Sequence, residues 1–210
     1  MTVLEFMNKS IGIINSGVGN MHSVNRALAH FNVSAKNVTN PDELNSCDKI
    51  IIPGVGAMHS AMNFMVTSGL KKEIVEFAND GKIILGICLG MQMLLTKSVE
   101  FGYCDTLNLI KGDVRKINTK NEVIPHTGWN KISALGDNLS LFKDIYKEDY
   151  FYFSHSLHCI IDDDCDTNYI DYAGQKIVAT LSKDNIFGTQ FHPELSGEVG
   201  LKIYKNFINL

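Results

Sequence analysis

The sequence predicts an α/β fold: a doubly wound, mainly parallel sheet flanked by helices, with an additional antiparallel strand region. Two observations lead there. Apolar runs of strand length alternate with helix-periodic segments through the first half, the pattern of βαβ units. Residues 112–134 and 150–190 instead hold short alternating runs broken by turns, the pattern of antiparallel pairs.

In chain order, Ile11, Gly12, Ile13 and Ile14 form a short buried-strand candidate, followed by a glycine-rich turn through Ser16, Gly17, Val18, Gly19 and Asn20. Met21, Val24, Leu28 and Phe31 then recur at helical spacing. Residues 48–52 predict a second strand, ended by Pro53 and Gly54, and helical patterns follow near 57–66 and 70–79. Residues 82–87 predict a third strand running directly into a helix that starts about Cys88. A last helix, about 196–209, turns Leu201, Tyr204, Phe207 and Ile208 inward. With no repeat and no linker, the chain divides into an N-terminal extension (1–10) and a single domain (11–210).

Composition narrows the functional classes. A chain of 210 residues can bury a full core. A net charge of -4 offers no electrostatic reason for a nucleic-acid or anionic-membrane partner. No apolar stretch is long enough to span a bilayer, and the first ten residues lack the apolar core of a signal peptide. Cys47, Cys88, Cys104, Cys159 and Cys165 are scattered and odd in number, so reduced thiols and a cytoplasmic location are expected. Asp162, Asp163, Asp164 and Asp166 surround Cys165 without ligand spacing, which reads as a solvated turn. No metal or cofactor is expected.

The segment Gly86, Ile87, Cys88, Leu89, Gly90 carries the most chemistry. Small residues two before and two after a nucleophile let a strand turn sharply into a helix, the nucleophile elbow. The elbow lifts Cys88 to the C-terminal end of the sheet and sets it at a helix N-terminus, where partial positive charge favours thiolate. It also places the Leu89 N–H to stabilise an oxyanion. A lone buried cysteine is more often structural; the elbow reverses that preference for Cys88 and not for the other four.

A cysteine nucleophile needs a base. Residues 187–192 predict a strand ending at His192, with Pro193 fixing the turn, so that Glu194 can hold one ring nitrogen while the other faces Cys88. Taken alone, His192, Pro193 and Glu194 could be a surface turn; beside the elbow, a Cys-His-Glu triad is the better reading. His155, also at a predicted strand end, has no carboxylate near in sequence and reads as a binding residue.

These residues bring the chain close to a known family. It resembles class I (triad) glutamine amidotransferases, and within them the glutaminase subunits of imidazole glycerol phosphate synthases, over most of its length. The resemblance rests on residues 17–20 (GVGN), 53–57 (PGVGA), 86–92 (GICLGMQ), 128–130 (GWN), 152–156 (YFSHS) and 188–194 (GTQFHPE). It implies that Cys88 attacks the glutamine carboxamide, His192 shuttles the proton and Glu194 holds His192. Backbone N–H groups of Val55 or Gly56 would join that of Leu89 at the oxyanion. Gly54, Gln92, Glu100, His155 and Ser156 would form the L-glutamine pocket. Such subunits pair as a heterodimer with a (β/α)₈-barrel cyclase that receives ammonia through a channel, and Val18, Asn20 and Trp129 would face it.

The match departs in places outside the triad. Asn15 and Ser16 stand where the family has Asp and Tyr, Thr127 replaces a Met, Leu195 replaces a Lys, and Leu157 replaces an aromatic residue. These positions leave a second partner open: a paralogue that supplies ammonia for acetamidino sugars in surface-polysaccharide biosynthesis. A cysteine peptidase or a non-catalytic regulatory subunit explains fewer of the motifs.

Overall fold

In the computed structural model, which describes residues 9–17, 19–119, 121–133 and 140–210, a seven-stranded sheet organises the chain. Strands β1 (Ile11–Ile14), β2 (Lys36–Val38), β3 (Lys49–Ile52), β4 (Ile83–Ile87) and β13 (Ile186–Thr189) are mutually parallel, in the order β13-β4-β3-β1-β2. Two long strands, β11 (Asp166–Tyr172) and β12 (Gln175–Lys183), extend the β13 edge antiparallel. Isoleucines fill β1 and β3 because both faces of a parallel sheet are covered. This is the predicted mainly parallel sheet with an added antiparallel region.

Helices α1 (Met21–Ala29) and α6 (Gly197–Asn209) lie in the hydrophobic cluster of one face, with Val24, Leu28, Ile203, Tyr204 and Phe207 buried. Helices α3 (Met58–Thr67) and α4 (Leu70–Asn79) cover the other, with Met62, Met65, Leu70 and Ile74 buried. The predicted Phe31 falls just past α1, where its N–H closes the last turn on Leu28. Four short elements escaped the periodicity: β2, α2 (Pro41–Asn45), and the two-residue strands β5 (Lys97–Ser98) and β6 (Cys104–Asp105). Each is too short to complete two periods. Residues 1–8 of the predicted extension and Val18 lie outside the described residues.

Two smaller sheets accompany the main one. One joins β5 and β6 to β7 (Gly112–Lys116) and β10 (Leu157–Ile161). The other is a two-stranded ribbon of β8 (His126–Lys131) and β9 (Tyr150–His155). In the acidic turn, Asp163 accepts from Lys183 Nζ at 2.8 Å and from the Lys111 N–H at 3.0 Å. Among the described residues no helix is long and apolar enough to cross a membrane.

Candidate active site

Three segments converge because three neighbouring parallel strands end at the same edge. β4 delivers Cys88, β3 delivers Pro53 to Gly56, and β13 leads to His192. The Cys88 N–H donates to the Thr189 carbonyl at 2.7 Å, locking the first and third together. Cys88 adopts φ 54°, a conformation that side chains resist, and α5 (Leu89–Met93) starts at the next residue. The flanking glycines are required by close approach. A Cβ on Gly86 would lie 2.7 Å from the Gly90 carbonyl oxygen, and one on Gly90 would lie 1.7 Å from that of Ile52.

The predicted strand through His192 stops earlier, at Thr189. Beyond it the chain crosses to the ribbon, where the His192 N–H donates to the Tyr152 carbonyl at 2.9 Å. Pro193 then opens a 3₁₀ turn (Pro193–Leu195) that swings Glu194 under the histidine. Glu194 Oε1 sits 2.8 Å from His192 Nδ1, with both side chains almost fully buried. Cys88 acts on the same ring, and with Nδ1 taken by Glu194 the nitrogen left to face it is Nε2. Burial opposes charge on His192, but the hydrogen bonds to Cys88 and Glu194 outweigh it and raise its pKa well above the ordinary value.

Cys88 forms part of a cleft of about 450 Å³ whose walls include Asn20, Val55, Gly56, Leu89, Gln92, Glu100, His155, Ser156 and His192. Nearly every residue predicted for the pocket is therefore gathered there. Gly54 lies beneath it: a Cβ would meet Leu89 Cβ at 2.7 Å. Trp129 stands apart on the ribbon, 52% exposed. Asn20 also caps α1, its Oδ1 accepting from the Ser23 N–H at 3.1 Å.

Two predicted roles are occupied by internal partners. The Leu89 N–H, expected at an oxyanion, donates to the Gly54 carbonyl across a long 3.4 Å. Glu100 Oε2 accepts from the Met58 N–H at 2.9 Å, stabilising the first turn of α3. The sequence reading missed Gln190, which is fully buried, with Nε2 3.5 Å from Cys88 Sγ and Oε1 2.9 Å from Gln92 Nε2. Its signal was present: Gln190 and His192 are two apart, a spacing that can bring side chains to one side of an extended chain.

Comparison with known proteins identifies the family. The family model of class-I glutamine amidotransferases matches residues 12–210, and the chain belongs to that family. Within it, the chain is 42% identical over 200 residues to the imidazole glycerol phosphate synthase subunit HisH of Methanocaldococcus jannaschii, covering 95% of this chain and 99% of that one. It is 39% identical over 214 residues to subunit HisH 1 of Legionella pneumophila strain Lens, covering 96% and 99%. In fold it resembles the structure of PurLQS from Thermotoga maritima, with a TM-score of 0.75 at 22% identity, covering 96% of this chain and 98% of that one.

Proposed function

We propose that this chain is the glutaminase subunit of imidazole glycerol phosphate synthase, acting in the cytoplasm, hydrolysing L-glutamine and passing ammonia to a (β/α)₈-barrel cyclase in histidine biosynthesis. The observation that carries the proposal is the buried Cys88–His192–Glu194 arrangement within a chain so similar to such subunits.

Cys88 Sγ attacks the carboxamide carbon, forming a C–S bond as the carbonyl π electrons move to oxygen. The oxyanion would be held by the Leu89 N–H and that of Val55 or Gly56. Collapse breaks the C–N bond while His192 gives its proton to the departing nitrogen, releasing ammonia and leaving a thioester. Water then attacks the thioester, His192 takes its proton, and C–S cleavage returns glutamate and the Cys88 thiolate. Glu194 keeps His192 in one orientation throughout. Gln92, Glu100 and the backbone around His155 and Ser156 bind the amino-acid end of glutamine.

Trp129, Tyr150 and Tyr152 share the outer ribbon face, Trp129 and Tyr152 in edge contact at 5.8 Å. Exposed aromatics of this kind anchor protein interfaces, and this face would meet the cyclase. The test is glutamate release from glutamine, with and without the cyclase subunit of the same organism and its nucleotide ligand. Strong stimulation is expected. Glutaminase activity that the cyclase leaves unchanged would overturn the histidine assignment and favour the sugar-modifying partner. No activity in either condition would overturn the glutaminase reading.

A further inference from the structure

The ribbon β8–β9 has two faces. Thr127, Trp129 and Lys131 pair with Ser154, Tyr152 and Tyr150 on the outer one, while His126 and Asn130 pair with His155 and Phe151 on the inner one. A run of hydrogen bonds leaves the inner face and ends at the nucleophile. Asn130 Nδ2 lies 2.8 Å from His126 Nε2, and His126 Nδ1 lies 3.0 Å from His155 Nε2. His155 Nδ1 lies 2.7 Å from the Leu157 carbonyl, which also accepts from Gln92 Nε2 at 3.1 Å. Gln92 Nε2 reaches Gln190 Oε1, and Gln190 Nε2 reaches Cys88 Sγ.

Every direction in this run follows from chemistry. A carbonyl only accepts, so His155 Nδ1 carries a proton. Burial pushes His155 down to about 4 and lowers His126 as well, so both rings are neutral near pH 7. His155 Nε2 is then a bare acceptor, His126 Nδ1 must donate to it, and His126 Nε2 must accept from the Asn130 amide. One tautomer of each ring satisfies all three bonds. The His126 ring cannot turn away, because it stacks between Tyr172 at 3.9 Å and Phe153 at 5.3 Å.

We propose that His126 and Asn130 are positioning residues for the glutaminase site, holding the Leu157 carbonyl and the Gln92 and Gln190 amides in register with Cys88. This rests on the glutaminase reading above and extends it to residues that reach neither glutamine nor the triad. Packing alone would give His126 no reason to be a histidine: a phenylalanine would stack as well between Phe153 and Tyr172.

That contrast supplies the test, in the complex with the cyclase. His126→Phe keeps the stack and deletes both hydrogen bonds. His126→Asn loses the ring but keeps an N–H near the Nδ1 position, facing His155 Nε2. We expect His126→Phe to raise KM for glutamine about tenfold, the scale of a buried polar atom left unpaired. We expect His126→Asn to recover most of the loss, and ammonia-dependent synthesis to stay unchanged in both. Equal loss in the two variants, or the reverse order that packing predicts, overturns the proposal. Should either variant fail to assemble, Asn130→Leu carries the test: a KM raised about threefold supports the chain and an unchanged KM overturns it. If the wild-type complex releases no glutamate, the glutaminase reading itself has failed; if wild type works and the variants match it, only this inference has.

Discussion

The Leu89 N–H points at the carbonyl of Gly54, 3.4 Å away, where an oxyanion would need it. The bond is long and therefore weak, and Gly56, two residues on, holds φ at +96°, a region open to glycine. A rearrangement of this segment would exchange the Gly54 carbonyl for an N–H. The isolated chain should therefore hydrolyse glutamine slowly, and binding of the cyclase with its ligand should raise kcat roughly a hundredfold, the worth of one oxyanion donor. Full activity in the chain alone would sink this.

Gly90 leaves no room for change. A Cβ there would sit 1.7 Å from the Ile52 carbonyl oxygen, a backbone atom at the end of the interior strand β3. Gly90→Ala should cost more than about 3 kcal/mol, measured by denaturant unfolding, because relief requires moving a strand. A near-native midpoint would mean the elbow is looser than its geometry indicates.

His192 titrates above its ordinary value against the pull of burial, through hydrogen bonds to Cys88 and Glu194. Its proton stabilises the fold fully below the unfolded value of about 6.5, and that contribution is lost as pH rises through the folded value. Cys88→Ala removes one raising contact and leaves the burial, so the His192 pKa should fall, as read by NMR titration. The same variant should abolish glutamine-dependent turnover and spare ammonia-dependent synthesis. An unmoved titration would mean that Cys88 and His192 are not in contact in solution.

Lys49 is buried in β3, its Nζ donating to the carbonyls of Phe207 at 3.0 Å and Ile208 at 2.8 Å in the last turn of α6. Burial lowers its pKa to about 8, so most molecules carry the charge at neutral pH. Lys49→Met should destabilise the chain by about 1–3 kcal/mol by stripping donors from two carbonyls at a helix end. Relative to Lys49→Met, which keeps the His192 contribution, the wild-type protein should gain stability as pH rises from about 8 toward the unfolded lysine value near 10.4, since only the unfolded state then holds the lysine proton. Melting curves across that range check the sign.

Trp129 is half exposed on the outer ribbon face. Trp129→Ala should leave the melting temperature of the chain nearly unchanged and weaken cyclase binding at least tenfold, about 1.4 kcal/mol, by titration calorimetry. Unchanged affinity would move the interface elsewhere.

Much of this was legible in one dimension because its causes are local. Doubly covered strands demand the apolar runs of β1, β3 and β4, and the elbow demands glycines at 86 and 90. The 3₁₀ turn that aims Glu194 at His192 follows from Pro193 and a two-residue separation. Residues whose roles arise from distant pairing were harder to see. Gln190 meets Gln92 across 98 positions, and His126 meets His155 only because a ribbon aligns them.

The sequence alone therefore determined the class of fold and singled out the candidate nucleophile, base and carboxylate, since each is announced by neighbours within five residues. Only the tertiary structure decided that β3, β4 and β13 lie side by side and end together. That adjacency brings residues 56, 88 and 192 into one cleft, and strand order is set by long-range packing that no local pattern records. It also decided that the Leu89 N–H and the Glu100 carboxylate hold internal partners. Hydrogen bonds between segments far apart in the chain depend on where the backbone carries them, and sequence spacing is silent on that.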